Sequence, residues 1–400
     1  MQPEQNIPKR IALLFQAGYI DSVPCLMSFI TLLSEQNLCI DIFMIKDDLC
    51  RVPIFNHPLI NLYTLDLGKE KTTYQWRSQT LLRFSKLFSF IQFVLKKSAR
   101  NKYNYYCGIE QNGLIAGFIL SYFNLVNNSA KLIYFSLELQ ISSEIPKTVE
   151  SKLFKYLEII ANRSCCASII QDRRRAEILA QENKLDANKI YIIPNSPLGE
   201  VKFEKSYFLH NKFSINKNKT ILLYAGTIAE WSYCKELSAA ADELGDDYIT
   251  VFQSRYNLQD DAYTTELIKN LKSNRVIFSL QSLPYEMLDD LYRSADIGLA
   301  FYRIDVLGTN CKEMGFSSGK IAYYLFCGIP IIVNHETSLA EIVNKYKCGV
   351  IINDFHELKD ACKTIMSNYK YYSHQACLCF KDLLEVEKNF KVFYEQVLND

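Results

Sequence analysis

Short apolar, β-branched runs alternate along this chain with longer segments whose apolar residues recur at helical spacing. A short apolar run between polar stretches is typical of a strand buried on both faces, as in parallel sheets crossed by helices. The pattern therefore predicts an α/β protein with parallel sheets. In the first half it predicts strands at residues 10–15, 39–45, 103–109, 131–137, 167–170 and 190–193, with helices at residues 22–34, 113–122, 149–163 and 172–182.

A second α/β series follows a break. Pro194 and Pro197 interrupt any regular element, and residues 198–218 are polar and poorly patterned, as in a linker. Two similar-sized halves should leave a cleft at the carboxyl ends of their sheets. In the second half the pattern predicts strands at residues 220–224, 248–253, 275–279, 297–302, 331–333 and 350–352, helices at 233–244, 285–294 and 339–346, and a helical end with one long helix at 383–398.

Residues 315–333 form the most informative stretch, a loop of small residues followed by a short helix, a Gly-x-Pro turn and a buried strand. Ser317, Ser318 and Gly319 lie where the helix should begin, and Lys320 lies in its first turn. A helix N-terminus carries free N–H donors and partial positive charge, so this segment predicts an anion site. A plain helix cap is the alternative.

Composition narrows the class of protein. Of the 400 residues 49% are hydrophobic and 22% are charged, and the net charge is +1, which gives no overall attraction to nucleic acid. The thirteen cysteines are scattered without a CxxC pair or histidines at ligand spacing, so we expect reduced thiols and no metal site. The sequence shows neither a signal peptide nor a bilayer-length apolar stretch. We expect a cytoplasmic protein, at most attached to the inner face of a membrane.

Four segments of the second half resemble GT-B glycosyltransferases, most closely glycosyltransferase family 4, and occur in family order: ILLYAGTIAEW, RVIFSLQSLPYEMLDDLYRSADIGLAFY, SSGKIAYYLFCGIPIIV and SLAEIVNKYKCGVII. In the first half IYFSLEL, QDRRRAEIL and KIYIIPNSP are similar to the family's acceptor-side landmarks. The resemblance implies two Rossmann-like domains whose parallel sheets face a central cleft. Residues 1–197 would bind the acceptor and residues 198–379 the donor, with a final helix at about 380–400 packing back on the first domain.

The resemblance also implies an activity, the transfer of a sugar from a nucleotide-sugar donor to a carbohydrate or lipid-linked acceptor. The enzyme would be hexosyltransferase-like, retaining and independent of metal or other cofactors, and would serve polysaccharide, glycan or glycolipid synthesis. Backbone at Gly226 and Thr227 would approach the donor diphosphate without a side chain in the way. The loop containing Ser279, Leu280 and Leu283 would follow the nucleotide base.

The resemblance gives the predicted anion site its role. The backbone of Ser317, Ser318 and Gly319 would bind phosphate oxygens, and Lys320 would act catalytically by stabilising charge on the departing diphosphate.

Several positions depart from the family pattern. Tyr323 and Gly315 stand where the family carries two glutamates, and Thr227 and Ser232 stand where it carries an arginine and a lysine. Tyr323 would then contact the nucleotide by stacking or through its hydroxyl. These departures favour the alternative of a non-catalytic GT-B subunit that supports a partner glycosyltransferase. A GT-B epimerase or phosphorylase is a further alternative.

Carboxylates and loop residues at strand ends of the first half are further candidates. Glu138 would orient an acceptor hydroxyl or act as a base, the alternative being a salt-bridged surface glutamate. Glu110 holds a similar strand-end position. Gly18 and Tyr19 lie in a loop that borders the transferred sugar in this fold, and Asp21 in that loop is either a base or the N-cap of the next helix.

Other candidates lie in the second half. Arg255, Arg303 and Lys312 are basic residues near strand ends, each either a replacement for the missing diphosphate contacts or a surface charge. Trp231 would either stack on a substrate or pack in the core. His335 is interpreted as a loop residue.

Residues 74–102 carry seven basic residues and no acidic one. Such a basic amphipathic pattern is typical of a helix on an anionic membrane surface, and equally of a domain helix packed on the sheet with solvated charges. We therefore expect either peripheral membrane contact through this segment or packing on the sheet. Its apolar stripe consists of Leu81, Phe84, Phe88, Ile91 and Leu95.

Overall fold

The computed structural model describes residues 8–68, 78–122 and 130–399. The strands in these ranges form two sheets, one of seven strands and one of six. The first sheet contains β1 (Arg10–Phe15), β2 (Cys39–Ile45), β3 (Ile60–Leu65), β4 (Tyr105–Ile109), β5 (Lys131–Phe135), β6 (Ala167–Ile170) and β7 (Ile190–Ile192). The second contains β8 (Thr220–Gly226), β9 (Tyr248–Ser254), β10 (Val276–Ser279), β11 (Ile297–Ala300), β12 (Ile331–Asn334) and β13 (Gly349–Ile352).

Helices connect the strands of each sheet. Those of the first half are α1 (Pro24–Glu35), α2 (Ser78–Ser98), α3 (Glu110–Tyr122), α4 (Val149–Arg163) and α5 (Arg173–Asn183). Those of the second half are α6 (Phe208–Phe213), α7 (Cys234–Asp242), α8 (Ala262–Lys269), α9 (Leu288–Arg293), α10 (Ile304–Lys312), α11 (Gly319–Phe326), α12 (Ser338–Tyr346), α13 (Leu358–Ser367), α14 (Tyr369–Leu383) and α15 (Val386–Phe393).

Both sheets are parallel throughout their described pairs, which confirms the predicted fold class. The strand orders are β3-β2-β1-β4-β5-β6-β7 and β10-β9-β8-β11-β12-β13. The order reverses at β1 in one sheet and at β8 in the other. Ligands of open α/β sheets bind at such reversal points, beyond the carboxyl ends of the strands. The loops that follow β1 and β8 are therefore placed to form a site.

Each sheet is buried on both faces. In β1, Leu13 and Phe15 belong to one apolar cluster while Ala12 and Leu14 belong to the cluster on the opposite face. All four side chains are completely buried. Because neighbouring side chains of a strand point to opposite faces, a strand covered on both sides is apolar at most positions. This explains why the strands could be found from continuous apolar runs.

The end of the chain returns to the first half. Phe390 and Phe393 of α15 pack against Phe29 of α1, with ring centroids 5.8 and 5.7 Å apart. The sequence predicted a long final helix at residues 383–398, and the structure has it from Val386, as α15 followed by a π-helical segment at Tyr394–Leu398, after α14 has ended at Leu383. Helix α14 contributes to the core of the second half and α15 to that of the first, so the chain must bend between them.

Some elements were not predicted. Strand β3 lies at the edge of its sheet and is only partly buried, so its apolar pattern is weak. Helix α6 lies within the predicted linker, and α8 was also missed. Helix α10 contains Gly308 in a non-helical conformation with φ of 56°, which disrupts the helical periodicity.

Helix α2 packs on the sheet of the first half. Of the predicted apolar stripe, Ile91 is buried, and Phe84 and Leu95 pack against the same core. Phe88 of the stripe is 62% exposed, and Leu82, which lies outside the predicted stripe, is 40% exposed. The core therefore uses most of this face and leaves two apolar side chains outside.

Residues 74–77 and the side chain of Leu81 lie outside what the structure describes. Among the described helices, none combines the length and the hydrophobicity that crossing a bilayer requires.

Candidate functional site

A cleft with a cavity of about 210 Å³ lies between the carboxyl ends of the two sheets. The first half supplies the loop after β1, the segment after β5 and the residue after β6. The second half supplies the ends of β8 and β9, the loop after β10, and the start of α11. The cleft thus joins both points at which the strand order reverses.

Lys320 provides a buried cation in this cleft. Its Nζ lies 3.9 Å from the ring centroid of Tyr224 and 4.8 Å from that of Tyr302. The ammonium is buried and has no hydrogen-bond partner among the described residues. Burial, and to a smaller extent the positive charge of Arg255, lowers the pKa of Lys320 to about 7. An anion bound in the cleft would offset both effects and favour the charged lysine.

Gly226 keeps the space beside this lysine open. Its φ of +154° is one that residues with side chains rarely adopt. A Cβ at this position would lie 3.4 Å from Lys320 Nζ and 3.8 Å from the Tyr224 hydroxyl. Glycine therefore leaves the end of β8 without a side chain in contact with the lysine.

Arg255 is a second cation facing the cleft. Its backbone N–H donates to the carbonyl of Gly226 at 3.1 Å, which fixes the start of the loop after β9. The guanidinium lies 5.3 Å from the ring centroid of Tyr19 in the other half of the molecule, and it donates to the Tyr256 hydroxyl. Its Nε is buried without a partner among the described residues. Arg255 and Lys320 thus place two basic side chains in the cleft.

The two predicted carboxylates occupy different places. Glu138 lines the cleft, and its side chain is 60% exposed and 3.8 Å from the guanidinium of Arg175. Glu110 lies beneath it, where Oε1 accepts hydrogen bonds from the backbone N–H groups of Leu137 at 2.6 Å and Glu138 at 2.9 Å. Burial and the charge of Glu138 raise the pKa of Glu110 to about 8. Glu110 therefore supports the segment that presents Glu138.

The loop after β1 brings Tyr19 and Asp21 to the cleft. Burial raises the pKa of Asp21 to about 6. Asp21 lies in a 3-10 turn and is not the N-cap of α1, since that helix is preceded by Val23. Gly18 lies behind this loop, where a Cβ would come within 2.5 Å of the Asp47 side chain.

The structure brings most of the predicted site residues together and leaves four outside the cleft lining. Outside are Gly18, Glu110, Ser279 and Leu280. The Ser279 hydroxyl accepts a hydrogen bond from Lys212 at 3.0 Å, and the Leu280 carbonyl accepts one from the backbone N–H of residue 258. Lining the cleft are Tyr19, Glu138, Gly226, Thr227, Arg255, Leu283, Ser317, Ser318, Gly319, Lys320 and Tyr323.

Four further candidates are divided in the same way, one lining the cleft and three outside its lining. Trp231 lines the cleft and stacks on Tyr302, with ring centroids 6.2 Å apart. Arg303 forms a salt bridge with Asp305 at 3.0 Å and does not line the cleft, as its interpretation as a surface charge predicts. Lys312 and His335 also lie outside the lining.

Tyr323 and Gly315 stand where the family carries glutamates, and each makes contacts within the protein. Tyr323 is 2% exposed and its ring stacks on Tyr292, with centroids 4.6 Å apart. The backbone N–H of Gly315 donates to the Ser338 hydroxyl at 3.0 Å. Neither position offers a carboxylate to a ligand.

Sequence reasoning missed several residues in and beside the cleft. Tyr224 and Tyr302 form the aromatic walls around Lys320, and their apolar surroundings in the sequence suggested only strands. Gln171 and Gln253 line the cleft, and each is buried with an unpartnered side-chain oxygen in the part of the chain that is described. The available signal was their position at the carboxyl ends of predicted strands.

Comparison with known proteins adds a family match to the second half. Residues 246–391 match the model of the family described as Glucosyltransferase 3-like, C-terminal domain. Over 325 residues the chain is 22% identical to an uncharacterized 41.2 kDa protein in the cps region of Klebsiella pneumoniae, a match covering 75% of this chain and 83% of that protein.

Solved structures match nearly the whole chain. Sucrose-phosphate synthase from Thermosynechococcus elongatus has a TM-score of 0.70 at 16% identity, covering 98% of this chain and 99% of that one. HepE of Anabaena in complex with UDP-glucose has a TM-score of 0.68 at 14% identity, covering 98% and 100%. WaaG, a glycosyltransferase involved in lipopolysaccharide biosynthesis, has a TM-score of 0.64 at 11% identity, covering 97% and 99%. The chain therefore has the GT-B fold and resembles GT-B glycosyltransferases.

Proposed function

We propose that this protein is a glycosyltransferase that transfers a hexose from a nucleotide-sugar donor to an acceptor. The reaction would belong to glycan, polysaccharide or glycolipid synthesis. The observation that carries the proposal is the buried, unpartnered ammonium of Lys320 at the start of α11, at the meeting point of the two sheets. The glucosyltransferase-like family match includes this helix. The UDP-glucose complex of the Anabaena neighbour supports a nucleotide-sugar donor.

The geometry suits stabilisation of a departing diphosphate. As the bond between sugar and phosphate breaks, negative charge grows on the phosphate oxygens, and fixed donors in a site shielded from water stabilise it best. Lys320, Arg255 and the free N–H groups at the start of α11 would supply these donors. We propose that these groups take the place of a metal ion, and that the anomeric configuration is retained, as the family resemblance implies.

The first half would bind the acceptor, a carbohydrate or a lipid-linked sugar. Tyr19, Asp21 and Glu138 face the cleft from this side and could contact an acceptor hydroxyl. Peripheral contact with an anionic membrane would use α2, where Leu82 and Phe88 are exposed on a helix without acidic residues. This contact would present a lipid-linked acceptor to the cleft at the inner membrane face.

The experiment is a panel of nucleotide sugars tested by thermal shift and then by sugar transfer. A ligand at 100 times its dissociation constant stabilises a protein by roughly 2.7 kcal/mol, which a thermal shift detects. With the best donor, we expect Lys320→Ala to lower the turnover rate about 100- to 1000-fold while the protein stays folded. Lys312→Ala, at an exposed lysine of the same half, is the matched control. Near wild-type transfer by Lys320→Ala would contradict the proposal.

A second candidate function is a non-catalytic subunit that supports a partner glycosyltransferase. The observation that favours it is the absence of a ligand-facing carboxylate at Tyr323 and Gly315, where the family carries glutamates. Donor binding without transfer to any acceptor, and transfer restored by a partner enzyme, would support this candidate over the first.

A further inference from the structure

Gln253 holds an unused hydrogen-bond acceptor in the cleft. It lies near the end of β9, is 3% exposed and lines the cavity. Its Nε2 donates to the carbonyls of Ser254 at 2.8 Å and Gln281 at 2.7 Å. Its Oε1 is buried and has no partner among the described residues.

The orientation of this amide is determined by its neighbours. Rotating the carboxamide by 180° would bring Oε1 against two carbonyl oxygens and lose both hydrogen bonds. The oxygen is therefore fixed as an acceptor before any ligand binds. A buried acceptor without a donor is unfavourable, and a ligand N–H or O–H would satisfy it.

The surroundings indicate which part of a donor would reach Gln253. Gln281 belongs to the loop after β10, and Leu283 of that loop lines the cleft together with Leu288 and Leu291 of α9. These apolar side chains suit a flat, weakly polar ring, whereas the cations Lys320 and Arg255 suit the phosphates. The base of a nucleotide would therefore lie at the Gln253 end.

We propose, on the basis of the function proposed above, that Gln253 Oε1 accepts a hydrogen bond from a ring N–H of the donor's base. Uracil, thymine and guanine carry such an N–H, whereas cytosine and adenine present a bare ring nitrogen, itself an acceptor. Two acceptors facing each other would leave Gln253 unsatisfied. The cleft therefore selects donors whose base carries a ring N–H.

UDP and CDP provide the test, because they differ only in the ring N–H at N3 and in the adjoining group on C4 of the pyrimidine. Isothermal titration calorimetry on the full chain should show UDP binding at least about tenfold more tightly than CDP, as expected when one buried acceptor is left unsatisfied. In Gln253→Met, which keeps the size and removes the acceptor, we expect this ratio to fall to within about threefold. Gln259→Met, at an exposed glutamine of the same half, should keep the wild-type ratio.

The outcomes separate this inference from the proposed function. If the wild type binds UDP and CDP with equal affinity, the inference is wrong, although the nucleotide site itself remains. This outcome is measured without any variant. An undiminished ratio in a folded Gln253→Met, its melting temperature checked, would also overturn it. Failure of UDP, GDP, CDP and ADP alike to bind would overturn both the inference and the proposed donor site.

Discussion

The lowered pKa of Lys320 makes nucleotide binding pH-dependent in a defined direction. In the free protein the ammonium loses its proton near pH 7, because its site is buried and close to Arg255. A bound diphosphate would stabilise the charged form and raise this pKa well above 7. Binding above pH 7 must then take up a proton, so affinity should fall as the pH rises.

The size of the effect follows from the free-protein pKa. With a pKa of about 7, roughly a quarter of the lysines are charged at pH 7.5 and about 1% at pH 9. If only the charged form binds tightly, the affinity for UDP should fall about 25-fold between these pH values. The diphosphate itself does not change charge in this range, since its last proton leaves near pH 6.

The groups around Lys320 do not titrate in the same window. Burial raises the pKa of Cys311 to about 12 and raises the pKa values of Cys234, Tyr224 and Tyr302 above their usual ranges. Arg255 stays charged throughout. Glu110, which lies outside the cleft lining, has a pKa of about 8 and does titrate there, so the Lys320 variant must separate its contribution.

Titration calorimetry at pH 7.5, 8.25 and 9, in two buffers of different ionisation enthalpy, measures both the affinity and the protons taken up. We expect uptake of nearly one proton above pH 8. In Lys320→Met this uptake should vanish and the affinity should change little with pH, while Lys312→Met should behave as the wild type. Persistence of the same pH dependence in Lys320→Met would refute the role assigned to this lysine.

Two further predictions concern the first half. Glu110→Ala should lower the free energy of unfolding by about 1–3 kcal/mol, because the N–H groups of Leu137 and Glu138 lose their acceptor, whereas Glu110→Gln, which keeps an acceptor oxygen, should lose less. Urea unfolding measures this, and equal midpoints for wild type and Glu110→Ala would contradict it. In sedimentation with anionic vesicles, a larger fraction of the wild type should sediment with the vesicles at low salt than at high salt. The double variant Leu82→Ser and Phe88→Ser should reduce the fraction that sediments at low salt. If equal amounts of the protein stay in the supernatant with anionic and with neutral vesicles, α2 has no membrane contact and only packs on the sheet.

The sequence alone was sufficient for the fold class and for the start of the helix that carries Lys320. Strands buried on both faces are apolar at most positions, so all strands of the two sheets except the edge strand β3 appear as nearly continuous apolar runs without knowledge of their partners. The small residues before Lys320 similarly predict a helix start, and the structure begins α11 at Gly319. Both signals depend on residues adjacent in sequence.

Tertiary structure decided which residues meet. Lys320 of α11 is enclosed by Tyr224 of β8 and by Tyr302, which follows β11, and its lowered pKa depends on that enclosure. The sequence equally gave no indication that Glu110 would lie under the backbone of Glu138. Burial and hydrogen-bond partners depend on contacts between distant parts of the chain, whereas hydrophobic periodicity reports only the local backbone and the face it buries. For this reason the folded arrangement, and not the local pattern, determines the chemistry of the cleft.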